Sequence, residues 1–275
     1  MKSGTHLPST LTRALVTRCC LLMAMVMPSA NAFANDRPES VRASILPETH
    51  AIALPDFSRF RDVHSRKEAF FNFLLPMIRH SNEVIRKDRS LLLALRDDLR
   101  TGINIDPGVI EIVGEMGKHY GGPTDGDLLS RINALLLRVD VVPESLVLAQ
   151  AANESGWGTS RFARQGNNLF GVWCFTPGCG LTPLSRDDGM NHEVARYESV
   201  QHGVSAYIHN INTHAAYREL RRIRAESRAG TGSVTGHALA EGLVRYSARG
   251  LDYVREIQQL IRFNNLQKFN LGRRV

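Results

Sequence analysis

No stretch of this 275-residue chain is apolar for long enough to cross a bilayer as a helix. Zinc-finger spacings, a helix-turn-helix pattern and a glycine-rich phosphate loop are all missing, so nucleic-acid binding has no motif behind it. Internal repeats and low-complexity tracts are missing too, which excludes a solenoid or a disordered array. Charge of one sign is scarce: 34 Lys and Arg against 27 Asp and Glu give a formal +7. Such mild basicity suits the neighbourhood of an anionic polymer or membrane surface and is too weak to imply nucleic acid. Cysteine is sparse, four residues in all, yet 43 % of the chain is hydrophobic and 22 % charged, so a packed core is expected.

Two of the cysteines fall in the first segment. Lys2, Arg13 and Arg18 precede a short apolar run, Cys19–Met27, and Ala32-Phe33-Ala34 has the form of a cleavage site. Residues 1–34 therefore read as a secretory signal peptide, and a periplasmic or secreted protein without stable membrane insertion is expected. Arg18 stands where a lipoprotein signal carries a small residue, which speaks against lipidation at Cys19 or Cys20. Loss of this segment would lower the formal charge from +7 to +4. The remaining pair, Cys174 and Cys179, brackets Phe-Thr-Pro-Gly and reads as a local disulfide in an oxidising compartment. A metal centre needs more ligands than these, and His192 and His202 lack the usual pairing, so neither metal nor organic cofactor is expected.

Periodicity predicts mostly helix. Residues 35–60 show no steady period and read as an extended arm. Ser65–Glu68 has the form of a capping box ahead of Phe70, Phe73, Leu74, Met77 and Ile78, with Pro76 expected to kink or divide that helix. A separate helix is expected over 90–100, and a short one over 109–120, closed by Gly121-Gly122-Pro123 at a domain boundary. After Asp125 comes another helix face, and Pro143 opens a further apolar helix. The alternating stretch His192–Tyr197 is the one place that suits a strand or hairpin. Ser199 caps a helix to about His214; the next helix carries Arg218, Arg221, Arg222, Arg224 and Arg228, most simply a solvated face. Tyr253, Ile257, Leu260 and Ile261 mark the last helix. These readings divide the chain into an arm and helical region over 35–122, a main domain over 123–268 and a basic tail over 269–275.

The chemically suggestive stretch is Leu148–Gly171, LAQAANESGWGTSRFARQGNNLFG. Glu154 sits where an apolar helix must stop. The helix's terminal carbonyls and an apolar neighbour such as Trp157 both disfavour its carboxylate, so its pKa should rise. A carboxylic acid that keeps its proton near neutrality can protonate a leaving oxygen, the logic of the lysozyme acid. A solvated or ion-paired glutamate is the plainer reading, and spacing alone favours it.

Ala149–Gly158 followed by Gly166–Gly171 resembles the signature of the bacterial β-N-acetylglucosaminidases of glycoside hydrolase family 73, approximately A-Q-A-x-x-E-S-x-W-G and then N-L-F-G. The N-terminal Phe-Phe-Asn-Phe-Leu-Leu-Pro, with Trp173-Cys174 and Pro177-Gly178-Cys179, looks more narrowly like Bax-type exported proteins. The resemblance implies an α+β, predominantly helical, lysozyme-like domain with a small β-hairpin lobe behind an N-terminal helical extension. It implies cleavage of the GlcNAc-β-1,4-MurNAc bond of peptidoglycan glycan strands, with Glu154 as general acid. Tyr246 matches a cleft tyrosine, and Trp157, Asn168, Phe170, Gly171 and Trp173 fall along the substrate cleft. Glu193 is the first choice for a second carboxylate on the β-lobe, with Asp187 and Asp188 as alternatives; the substrate's own acetamido group offers a third route. A lytic transglycosylase is the nearest rival within enzymes, and a non-catalytic glycan-binding module the rival outside them.

Overall fold

The computed structural model describes residues 53–184 and 191–270. The expected signal peptide, Asp187, Asp188 and the end of the basic tail lie outside that range.

The first long element is α1, Val63–Arg100. Its N-cap is Asp62, whose side chain accepts from Ser65 N at 2.7 Å, so the cap lies three residues ahead of the Ser65 box. The helix also runs unbroken through Pro76, merging the two helices expected over 65–78 and 90–100. Proline removes only its own N–H, and the carbonyl it deprives, that of Asn72, lies one turn earlier on the same exposed face. Ahead of α1 the arm is anchored: Asp56 caps a one-turn 3-10 helix, Phe57–Arg59, and Phe57 is buried edge-on against Phe70.

Helix α2, Pro107–Tyr120, begins with Asp106 as cap and Pro107 in the first turn, and ends at left-handed Gly121. Helix α3, Leu128–Leu136, is capped by Asp127. Helix α4, Glu144–Ser155, is the centre of the molecule: Leu146 to Ala151 show no exposure at all, as a helix apolar on every side must. It packs against α1 and against a 3-10 turn at Leu266–Phe269. Asn82 of α1 fixes its entry, donating to Val142 O at 2.9 Å and accepting from Val142 N at 3.1 Å. The helices before and after Gly121–Pro123 share one hydrophobic core.

Short helix α5, Arg161–Gly166, leads to the strands β1 (Trp173–Cys174), β2 (Gly180–Leu181) and β3 (Glu193–Ala195). They form a three-stranded antiparallel sheet of order β1-β3-β2, with Cys174 opposite Glu193 and Gly180 opposite Ala195. Cys174 and Cys179 are joined by a disulfide. The architecture is thus mostly helical with a small sheet, as the sequence suggests. Ser199 caps α6, Val200–Thr213, accepting from His202 N at 3.1 Å. Helices α7 (Arg218–Gly230), α8 (Gly236–Leu239) and α9 (Leu251–Phe263) complete the chain.

The arginines of α7 correct the expectation of a solvated face. Arg221 and Arg224 are buried, and Arg224 is the largest fully buried side chain. Arg224 donates to the carbonyls of Asp140 and Val141 and to Asn212 Oδ1, while Arg228 grips the Asp140 carboxylate with two bonds of 2.5 Å. Arg89 of α1 reaches the same carboxylate at 3.5 Å. Arg218 and Arg222 behave as anticipated: both are exposed, and Arg222 pairs with Glu219 and Glu226 at the surface.

Candidate active site

The end of α4 is fixed by backbone geometry. Gly156 takes a left-handed conformation (φ 56°), and both its N–H and that of Trp157 point back to Ala152 O. Trp157 itself has φ 62°, a conformation that costs an ordinary residue about 1–2 kcal/mol. Packing holds it there: the indole meets Phe70 and Phe71 edge-on, with ring centroids 5.7 and 5.5 Å away, and Lys67 Nζ lies 5.0 Å over it. Gly158 (φ +77°) completes the turn where no side chain fits, since a Cβ would lie 2.6 Å from the Phe57 ring. Ser155 closes it, accepting from Gly158 N at 2.7 Å and donating to Ala151 O.

The second corner faces the first. Asn168 is buried, and its amide is fully engaged: Nδ2 donates to Val172 O and Ala195 O, and Oδ1 accepts from Phe170 N and Val172 N. Phe170 is buried as well, stacked on Tyr207 with centroids 3.9 Å apart. Both side chains are buried and shape the corner from inside. What they deliver is Gly171 (φ +64°), where a Cβ would lie 3.9 Å from Glu154 Oε2. Tyr246 ties the corner to the helical side by donating to Phe170 O at 2.7 Å.

Glu154 is half-buried, and its pKa is raised. Removal from water is the main cause; hydrogen bonds from Tyr253 and Asn153 oppose it, Glu256 reinforces it and Arg249 opposes it. The Asn153 amide lies 3.4 Å from Oε1. Tyr253 is itself held from behind, accepting from Gln150 Nε2 at 2.8 Å, while Tyr207 donates to Gln150 Oε1. Tyrosines 207, 217, 246 and 253 all feel the Glu154 charge and are kept protonated, Tyr217 with its pKa pushed up to about 12 and burial the main cause in each. Of this ring only Tyr246 is singled out by sequence. Gln150 had a signal: a polar residue in an apolar run, four positions before Glu154 and hence on its face.

Glu193 is placed differently. Its carboxylate accepts from Gly178 N at 3.1 Å and Gly180 N at 2.7 Å, fastening the disulfide loop to β3. Asp187 and Asp188 lie outside the described residues. Trp173 is 52 % exposed, its indole stacked on the His192 ring at 3.9 Å. Cys174, Cys179 and Glu193 form the described cluster with metal-ligand potential, but the two sulfurs are bonded to each other and offer no thiolate.

Residues 131–266 match the family model described as mannosyl-glycoprotein endo-beta-N-acetylglucosaminidase. The chain is similar to protein Bax of Escherichia coli (strain K12), with 35 % identity over 202 residues, 73 % of this chain and 70 % of that protein. Among solved structures it is similar to the catalytic domain of the autolysin Auto from Listeria monocytogenes. That likeness has a TM-score of 0.41 and 17 % identity, over 84 % of this chain and 94 % of that one.

Proposed function

The chain belongs to the glucosaminidase family, and on that premise we propose that it is an exported peptidoglycan hydrolase cutting the GlcNAc-β-1,4-MurNAc bond, with Glu154 as general acid. The observation that carries the reading is a carboxyl whose pKa is raised by burial, presented at a helix end opposite a side-chain-free corner at Gly171. Protonated Glu154 gives its proton to the glycosidic oxygen as the C1–O bond breaks. An incoming oxygen, from water or first from the neighbouring acetamido carbonyl, supplies the electron pair to C1; the proton that water sheds restores the acid. Tyr253 and Asn153 hold the carboxyl in line, and Tyr246 keeps the opposite corner in register. Glu193 acts as a positioning residue for the β-lobe, on which exposed Trp173 offers a face to a sugar ring.

Mass spectrometry of digested sacculi tests the bond. Reducing N-acetylglucosamine ends are expected; 1,6-anhydromuramyl ends would instead make the protein a lytic transglycosylase.

Tyr253→Phe probes the support of the acid. The tyrosine's hydrogen bond favours the ionised carboxylate, so its loss raises the Glu154 pKa further. Activity requires the protonated form and disappears as pH rises through that pKa. The alkaline limb of the pH–rate profile should therefore move to higher pH, with kcat down about tenfold, the order of one lost hydrogen bond to a charged group. An unmoved limb would detach Tyr253 from the acid.

A further inference from the structure

Beside Glu154, between the end of α4 and the outer face of α9, lies a cavity of about 360 Å³ lined by Asn153, Trp157, Glu256, Gln259, Leu260 and Phe263. Its volume falls in the range of small-ligand pockets, roughly 300–1,000 Å³. Positions 253, 256, 260 and 263 follow helical spacing, so one stripe of α9 runs from the tyrosine that touches the acid to Phe263. Ten residues of helix separate those two ends, about 15 Å, which places the Phe263 ring too far for the reacting sugar.

The lining has an unusual state of readiness. Phe263 is 85 % exposed, although it stands at the rim of a cavity. Gln259 is exposed, and its amide makes no side-chain hydrogen bond among the described residues. Trp157 forms a rigid wall, since Phe70, Phe71 and Lys67 already fix its indole. Glu256 is set in place by Arg249, 2.8 Å away. An open aromatic face beside an amide ready to bond and a fixed carboxylate matches the two sides of a pyranose, C–H on its faces and hydroxyls on its rim. Two lining residues also act on the acid: Asn153 reaches Glu154, and the Glu256 charge is felt there.

We infer that this cavity is a saccharide-binding subsite, holding an N-acetylhexosamine residue of a β-1,4-linked strand some distance along from the cleaved bond. The ring stacks on Phe263, and its hydroxyl and acetamido groups meet Gln259, Glu256 and Asn153. The inference rests on the hydrolase reading for the direction of the strand, but its test reads binding and not turnover.

The full-length Glu154→Gln protein is titrated by calorimetry with the tetramer of β-1,4-linked N-acetylglucosamine. Adding Phe263→Ala should weaken binding about tenfold, the order of one aromatic contact. Ile103→Ala, at an exposed apolar residue outside the cavity, should leave it unchanged. The Phe263 side chain is too exposed for its loss to threaten folding. Equal affinities with and without Phe263, or no measurable tetramer binding, would overturn the subsite. So would a free stem peptide whose binding depends on Phe263 when tetramer binding does not. Weakened binding by Phe263→Ala in a protein whose wild type leaves sacculi undigested would sink the hydrolase reading and keep the subsite. Digestion with equal affinities would do the reverse.

Discussion

Glu154→Gln is expected to bind glycan as the wild type does and to lower kcat by about 10²–10⁴-fold, the range for losing a positioned general acid. The amide fits the same space opposite Gly171 and can still accept from Tyr253 and Asn153, so the site's shape survives. What disappears is the transferable proton. Two measurements check this: release of soluble muropeptides from sacculi, and KM, which should hold while kcat falls. The residual activity should also lose its alkaline limb, because the group that titrates there is gone. Turnover near the wild-type rate would take Glu154 out of the chemistry.

The second large effect concerns stability. Asp140 is 2 % exposed, and three guanidinium groups converge on its carboxylate. Burial alone would raise its pKa; Arg224, Arg228 and Arg89 outweigh that and hold it below the ordinary value. Asp140→Asn removes the negative charge on which this knot converges and leaves Arg224, itself 1 % exposed, without its ion-pair partner among the described residues. A cost of about 3–5 kcal/mol is expected, as for other buried pairs broken from one side. Urea unfolding at neutral pH should show it as a lower midpoint with an unchanged slope. Because the folded pKa lies below the unfolded one, about 3.9, the contribution is complete above that value and is lost as pH falls through the folded pKa. The gap between wild type and variant should therefore stay constant down to the ordinary carboxylate range and close below it. Equal midpoints at neutral pH would mean that the arginines find compensation elsewhere.

Local signals are legible in the sequence and distant ones are not. The stop at Gly156, the Ser199 cap, the strand at Glu193–Ala195 and the Cys174–Cys179 disulfide all depend on residues within a few positions of one another. The helix ends of α1 depend on a competition that patterns resolve badly: Asp62 and Ser65 are both acceptable caps, and a proline stops a helix only where the lost bond is not replaced by water. Arg224 and Arg228 read as solvated because their partner, Asp140, lies more than eighty residues earlier; the one clue is an acid set among valines, Val139-Asp140-Val141-Val142. Tyr253 reads as core because it shares a face with Ile257 and Ile261, and its bond to Gln150 spans 103 positions. The motif places Asn168 in the corner that walls the cleft; its four hydrogen bonds, invisible in the motif, make the turn that Gly171 occupies.

The length of α1 also bears on how the molecule assembles. Its apolar stripe, from Phe70 to Leu95, finds partners on α3, α4 and α6, and Lys67 and Arg79 are tied to Asn264 and Phe269 O across 197 and 190 positions. A chain that emerges from its N-terminus must therefore carry a 38-residue amphipathic helix with its oily side only partly covered until α6, which ends at Thr213, has appeared. Contacts of such long range slow the closing step of folding and prolong the interval in which chains can stick to one another. Until then α1 is the surface most open to self-association, and its polar ties at Lys67 and Arg79 close last, once the final turn at Leu266–Phe269 has formed.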